Sequence, residues 1–421
     1  MTTASGAPTI DDARTHRTPD PRCDAGGRRR AMTPIAVAAA LLLAGCGGAD
    51  DGQEANPPEG SHVVTPAPAA SAPSTPGSLD GAASTPATDS SGTTNPDAIT
   101  LAFAGDVHFE RQVAALLQDS DETWGGRLPE LASADFSMVN LETAITERGQ
   151  AAAKSYTFRA PAKALDKLAA GGVDAVTMAN NHAADYGRQG VEDTLAAIRT
   201  SPIRVVGFGA NEKEAYEPLT AMVKGVRVGV ISSMEVPEET YANWSAGPDS
   251  PGVAQNIRRE RFTQAAKETV ATHDVVVAFL HWGTEGSNCP NERQVESARI
   301  LEEAGVDVIV GTHAHRPQGS GWKGRAFVGY GTGNFVWYNT SLASKSSGVL
   351  TVTVDANRAR ERGRAQEPDR SSGPSLVTAY TWSPKLISNA GVPQKAVDSR
   401  PRLDRLNEQA IQCSGLSQSP K

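Results

Sequence analysis

From Ile99 onward the chain alternates between short apolar runs that close on Gly, Asn or His and helix-like stretches that separate them. Short runs bounded by turn residues read as strands, and their alternation with amphipathic stretches specifies an α/β domain. The expected strands are Ile99–Ala104, Phe136–Val139, Val173–Met178, Arg204–Val206, Val226–Ser232, Val275–Leu280, Val306–Val310, Ala326–Gly329 and Val349–Val354. The expected helices are Ala162–Ala170, Val191–Arg199, Arg261–Thr272 and Val295–Ala304. This domain spans residues 99–356. The Arg-rich segment 357–374 shows no alternation and is expected to be a solvated loop, after which 375–421 adds a strand, Leu376–Trp382, and a closing helix, Leu403–Cys413. There is no internal repeat.

The first quarter of the chain has a different texture. Arg28, Arg29 and Arg30 precede an apolar run from Ile35 to Ala44 that ends in Leu43-Ala44-Gly45-Cys46. The run falls short of the roughly twenty residues that cross a bilayer, so residues 1–45 read as a secretory leader with a lipobox. Cleavage before Cys46 would leave a diacylated cysteine, and two acyl chains anchor a protein stably. The expected location is the extracytoplasmic face of the membrane; the adjacent arginines also admit a twin-arginine export signal. Residues 46–98, rich in Pro, Ser, Ala, Thr and Gly, cannot offset their ordering entropy and read as a flexible tether.

A formal charge of −8 offers no basic field for nucleic acid. Of the four cysteines, Cys23 falls in the leader and Cys46 takes the lipid, leaving Cys289 and Cys413. An even pair in an exported chain suggests a disulfide, the alternative being two separate thiols.

The chemistry lies at the strand ends, where loops of α/β sheets bring side chains together. The first strand runs into Asp106 and His108, the second into Asn140-Leu141-Glu142, and the third into Asn180-Asn181-His182 followed by Asp185. Val275–Leu280 delivers His281 and Trp282, and the next strand delivers His313 and His315. Five of the eight histidines thus fall at these positions. Any one alone reads as an ordinary surface residue; together with carboxylate and amide oxygens they suit Mn, Fe or Zn.

The motifs Gly105-Asp106-Val107-His108, Asn181-His182, His281 and Gly311-Thr312-His313-Ala314-His315 resemble, in order, those of the calcineurin-like metallophosphoesterases. More closely, Asn140-Leu141-Glu142, Phe158-Arg159-Ala160-Pro161, the run from Ala179 to Gly187, His281-Trp282-Gly283-Thr284-Glu285 and Gly333-Asn334-Phe335 resemble the CapA family of capsule and poly-γ-glutamate synthesis proteins. The resemblance implies a four-layer α/β/β/α metallophosphatase-like sandwich and two divalent metal ions. One ion would be held by Asp106, His108 and His315, the other by Asn181, His281 and His313. Glu142, standing where the phosphoesterases have aspartate, would bridge them. His182 would be the non-ligand catalytic histidine, with Asp185 orienting it.

Arg159 and Arg316 are candidates to bind substrate carboxylates or phosphates, or else to form surface ion pairs. Asn334 is a further candidate contact. Trp282, Tyr330 and Phe335 either wall the cleft or pack in the core. The expected function is a metal-dependent hydrolase acting on an envelope polymer, a polyglutamate or a phosphodiester. The alternatives are a non-catalytic assembly or export subunit beside membrane capsule synthase partners, and a secreted phosphoesterase.

Overall fold

In the first apolar run, Ile99, Leu101 and Phe103 turn to one face of their strand and Ala102 and Ala104 to the other, and both faces are buried. The run Val275–Leu280 behaves the same way: Val275, Val277 and Phe279 share a core with Ile99, Leu101 and Phe103, whereas Val276, Ala278 and Leu280 pack with Phe262 and Leu301. Two sheets therefore meet face to face, and helices cover the outer face of each. This four-layer α/β/β/α arrangement is seen in a computed structural model that describes residues 97–338, 341–365, 370 and 373–420. The leader 1–45, Cys46 and the tether up to residue 96 lie outside the described residues.

One sheet runs, edge to edge, through Pro393–Lys395, Val377–Ile387, Ser346–Asp355, Ala98–Val107, Phe136–Leu141, Ala175–Thr177 and Arg204–Val206, with Asn334–Val336 joining Ala98–Val107 near its end. The other runs Ser320–Lys323, Ala326–Gly329, Val308–His313, Val275–Trp282, Val226–Met234 and Leu219–Val223. The central pairings of both sheets are parallel, so the loops that carry the polar motifs leave neighbouring strands at the same end. The strands Leu219–Val223 and Ser320–Lys323 pair antiparallel at the sheet edges. Their sequences escaped notice because edge strands are short and carry little apolar periodicity.

The first strand extends past the expected Ala104 to Val107, and its register with Phe136–Leu141 shifts between Phe103 and Asp106. Gly105 makes this possible. A Cβ there would lie 1.7 Å from the carbonyl oxygen of Gly333, and the same carbonyl accepts from Asp106 N at 3.0 Å.

Segment 357–374 corrects the sequence reading. Instead of a solvated loop it begins with a helix, Ala356–Ala365. Asp355 Oδ1 caps the helix by accepting from Arg358 N at 2.9 Å, and Ala356 and Ala359 are buried. Arg362 reaches 2.6 Å to the buried Asp307, which also pairs with Arg370 at 3.5 Å. Arg370 further donates to the carbonyls of Val270 and His273. Arginine pairing, not apolar spacing, ties this segment down, so apolar periodicity could not reveal it. At the C-terminus, Arg400–Ser414 forms the closing helix and ends on Gly415 with φ +68°. Cys413 of that helix is disulfide-bonded to Cys289, with a Cα–Cα separation of 5.6 Å.

Candidate metal centre

Parity along the strands decides which side chains reach the centre. His281 shares the face of Val277 and Phe279 and so points between the sheets, whereas Trp282 points outward. At the end of the neighbouring strand and in the bend just after it, His313 and His315 both sit at positive φ, +81° and +53°. For non-glycine residues this is a strained conformation that the surrounding structure must hold, and such strain collects at functional sites.

Two overlapping triads result. The ligand atoms of Asp106, Glu142 and His281 all lie within 4.8 Å of one another, and so do those of Glu142, His313 and His315. Glu142 belongs to both. Its side chain is fully buried, and its Oε1 has no hydrogen-bond partner. Three imidazole nitrogens lie around Oε1: His281 Nε2 at 3.5 Å, His182 Nε2 at 3.8 Å and His315 Nε2 at 3.9 Å. These are too long for hydrogen bonds, so the nitrogens surround the oxygen without satisfying it. A carboxylate in that position costs several kcal/mol unless a proton or a cation joins it. Burial, with the Asp106 charge adding to it, pushes Glu142 well above the usual carboxylate range. Burial likewise pulls His281 well below its ordinary value and His313 down to about 3, so both rings are neutral. Burial also opposes charge on His315, but its contact with Asp106, 3.1 Å from Nδ1 to Oδ2, outweighs this and raises it. The neutral His281 and His313 rings beside an orphaned carboxylate oxygen are donors that divalent Mn, Fe or Zn accepts, so these residues fit a metal.

A second layer of contacts fixes these groups. Asn140 Nδ2 donates to Asp106 Oδ1 at 2.8 Å and lies 3.4 Å from Glu142 Oε2, and its own carbonyl oxygen accepts from Asn180 Nδ2 at 2.9 Å. Thr312 Oγ1 lies 3.0 Å from His281 Nδ1, and Asn334 Oδ1 lies 2.8 Å from His315 Nδ1. Such partners orient imidazole ligands and fix their tautomers. Asn181 Oδ1 reaches His281 Nε2 at 2.7 Å, beside the second triad's His313, whose Nδ1 is 3.1 Å from the same nitrogen.

His182 faces a pocket over the centre. Its Nδ1 is 2.6 Å from Asp185 Oδ2, an oxygen that also accepts from Phe158 N at 2.7 Å. Asp185 Oδ1 is 2.6 Å from Lys154 Nζ, and Lys154 also donates to the Asn181 carbonyl at 2.5 Å. Burial pushes Asp185 up to about 7, against the Lys154 charge and the Phe158 amide that pull it down. Burial pulls His182 well below its ordinary value. With Nδ1 committed to Asp185, Nε2 is the nitrogen left to meet a ligand.

Several expected contacts fall elsewhere. His108 joins neither triad. Its Nδ1 accepts from Glu110 N at 3.0 Å, its Nε2 is buried without a hydrogen-bond partner, and its ring stacks on Phe158 with Trp337 and Tyr338 edge-on. Trp282 is fully buried, donates from Nε1 to the Tyr330 carbonyl at 2.8 Å and packs under the outer helices, so it is a core residue and does not wall the cleft. Tyr330 and Phe335 are core residues too. The pocket's aromatic walls are Tyr156, Phe158, Trp337 and Tyr338. Arg159 is exposed on a short strand, its guanidinium over the Tyr186 ring at 4.7 Å, and does not line the pocket. Arg316 and Asn334 do line it. The sequence reading missed Lys154, because a lysine in an aperiodic loop looks like any solvated lysine. It quoted Asn140 without a role, although the spacing Asn140-Leu141-Glu142 puts both polar side chains on one face of the strand.

Residues 100–339 match the profile of the bacterial capsule synthesis protein family PGA_cap. The chain is 26% identical to the capsule biosynthesis protein CapA of Bacillus anthracis over 265 residues, which cover 62% of this chain and 64% of that one, just under two thirds of the relative's length. It is 29% identical to the PGA biosynthesis protein CapA of Bacillus subtilis (strain 168) over 270 residues, 63% of this chain and 70% of the other. Among solved structures, a 5'-nucleotidase from Candida albicans SC5314 superposes with a TM-score of 0.37 at 11% identity, over 76% of this chain and 59% of that one. With more than half its length matched by the family profile, this chain belongs to the bacterial capsule synthesis protein family PGA_cap.

Proposed function

We propose that the protein works in capsule or polyglutamate synthesis as a metal-dependent hydrolase that releases or remodels the envelope polymer. The observation that carries this reading is Glu142 Oε1, buried without a hydrogen-bond partner amid three imidazole nitrogens. Asp106, Glu142, His281, His313 and His315 would hold two divalent ions, with Asn181 beside them. The chemistry such ions supply is Lewis acidity toward the carbonyl or phosphoryl oxygen and activation of water at neutral pH.

The rest is done by the chain's own groups. Asp185 fixes the His182 ring so that Nε2 faces the pocket and can pass a proton to a leaving nitrogen or oxygen. Lys154 holds Asp185 in place. Phe158, Trp337 and Tyr338 narrow the water access to that nitrogen, and Arg316 meets an anionic substituent of the polymer.

The names of the two relatives speak of biosynthesis and not of cleavage, which favours, as a second reading, a polymer-holding subunit beside a membrane synthase. The two readings separate in one experiment. Metal content of the full chain and of His313→Ala is measured by mass spectrometry, with γ-glutamyl peptide and phosphodiester hydrolysis assayed on the same samples. Stoichiometric metal, reduced in the variant, together with turnover supports the hydrolase and identifies the bond. Absence of bound metal or of turnover gives way to the holding subunit. We also place the protein on the extracytoplasmic face of the membrane through a lipid on Cys46, so Cys46→Ser should move it from the membrane fraction to the soluble one.

A further inference from the structure

The pocket over the centre holds two opposite charges that do not neutralise each other. Arg316 and Glu285 both line this cavity of about 270 Å³, yet they form no ion pair. Arg316 Nη1 is buried without a partner, and burial lowers the guanidinium below its ordinary value. Glu285 stands exposed, makes no hydrogen bond or ion pair among the described residues, and lines the cavity together with His182 and His315.

Their separation is built in. Gly286 N donates to the Ala314 carbonyl at 2.8 Å, Asn288 Nδ2 to the Pro317 carbonyl at 3.0 Å, and Gln318 Nε2 to the Ser287 carbonyl at 3.1 Å. These bonds stitch the loop of Glu285 to the segment of Arg316. The Cys289–Cys413 disulfide pins that loop again, and the capping box of Asn291 and Gln294 ends it. Two opposite charges held apart over a cavity at the small end of ligand pockets suit one dipolar group, not a run of like charges.

We propose that this pocket takes the free amino end of a γ-linked acidic chain, with Glu285 on the α-ammonium and Arg316 on the α-carboxylate of the first unit. Ammonium and carboxylate occur together on the first carbon only when the link runs through the side-chain carboxyl group; an α-linked chain spends that carboxylate in its peptide bond. The γ-amide of the bound unit then lies toward His182 and His315, which line the same cavity. Resting on the hydrolase reading, water adds across that amide: its OH goes to the γ-carbonyl carbon and its remaining hydrogen to the leaving nitrogen. One free amino acid departs. The shortened chain presents the same ammonium and carboxylate, so units are removed one after another from that end.

The test is binding, by calorimetry at pH 7, to the full chain stripped of metal with a chelator. The probes are γ-glutamyl-glutamate, its N-acetyl form, and the form with the first unit's α-carboxylate amidated. Each blocked form should bind about tenfold more weakly, the worth of one charge-assisted contact. Glu285→Gln should abolish only the acetylation penalty, and Arg316→Gln only the amidation penalty. Each result is a ratio between two ligands on one protein. If Glu285→Gln binds nothing, Glu285→Asp decides, since it keeps the charge: a retained preference supports the assignment and its absence overturns it. Equal binding of blocked and free forms by the parent also overturns it. Selective binding with no turnover once metal is returned leaves the assignment standing and removes the hydrolase reading. Cleavage within an N-blocked polymer does the opposite.

Discussion

His182 Nδ1 and Asp185 Oδ2 lie 2.6 Å apart at the base of the pocket, and Lys154 holds the other oxygen of the same carboxylate. The pair divides two jobs between two residues: Asp185 sets the ring's tautomer, and His182 carries the proton. Asp185→Asn should therefore lower kcat by about 10²-fold or more while leaving metal content intact, because an amide cannot hold the same tautomer. Turnover and metal content measured together check this; a parallel loss of metal would show that Asp185 supports the ligands instead.

The same carboxyl predicts a pH dependence of stability. Asp185 titrates near 7 in the folded protein, against an ordinary value of 3.8. Between these values the folded state holds more protons than the unfolded state, so this group's contribution falls as pH rises from about 4 to about 7. In metal-free protein, the stability of the parent relative to Asp185→Asn should be greater at pH 5 than at pH 8, by an amount on the order of 1 kcal/mol or more. Urea unfolding at the two pH values measures it.

Glu142 should show a trade between stability and metal binding. Its orphaned Oε1 makes the ionised carboxylate a burden in metal-free protein, so Glu142→Gln should raise the metal-free Tm above pH 7 and at the same time abolish the Tm increase on adding metal. Thermal unfolding with and without Mn or Zn tests both halves. A lower metal-free Tm would mean that the carboxylate, and not the metal, holds the centre together.

What the sequence could reveal follows from which physical signal each element uses. The strand Val275–Trp282 was legible because a strand buried on both faces must be apolar throughout, and the turn that ends it brought His281 into view. The same strand misled at Trp282. Adjacent residues point to opposite faces, so a motif that joins His281 to Trp282 in sequence separates them in space, one at the centre and one beneath the outer helices. His108 is a different case: spacing after Asp106 suggests a ligand, and the ring is buried with Nε2 unpartnered, but a local backbone bond from Glu110 to Nδ1 and an aromatic cage hold it outside both triads. Lys154 was invisible because its role depends on a meeting with Asp185 across the fold, which no local pattern encodes. The helix Ala356–Ala365 was hidden for the related reason that its anchors are charged.

The Cys289–Cys413 bridge supports the loop that carries Glu285, and it closes a loop of 124 residues. Replacing both cysteines with serine should cost roughly 2–4 kcal/mol, since the unfolded chain is freed of a long closure. Calorimetric unfolding of the oxidised parent and the double variant gives this difference.

Arg362 offers the clearest test of the charged anchoring. Its guanidinium sits 2.6 Å from Asp307, and both side chains are largely buried where the strand Val308–His313 begins. Asp307 also accepts from Val276 N at 3.0 Å through its other oxygen, so the carboxylate joins the helix Ala356–Ala365 to two strands of the second sheet. Arg362→Ala leaves that carboxylate with Arg370 alone, at the longer distance of 3.5 Å. Breaking a buried pair typically costs about 3–5 kcal/mol, and the remaining arginine should bring the loss toward the lower end. Arg362→Met, which keeps most of the side-chain volume, should be no better, because the cost lies in the uncompensated Asp307. The double change Arg362→Met with Asp307→Asn should recover part of it. Urea midpoints for the three variants decide the matter: if Arg362→Met is as stable as the parent, then packing of the aliphatic stem and not the charge pair holds the helix.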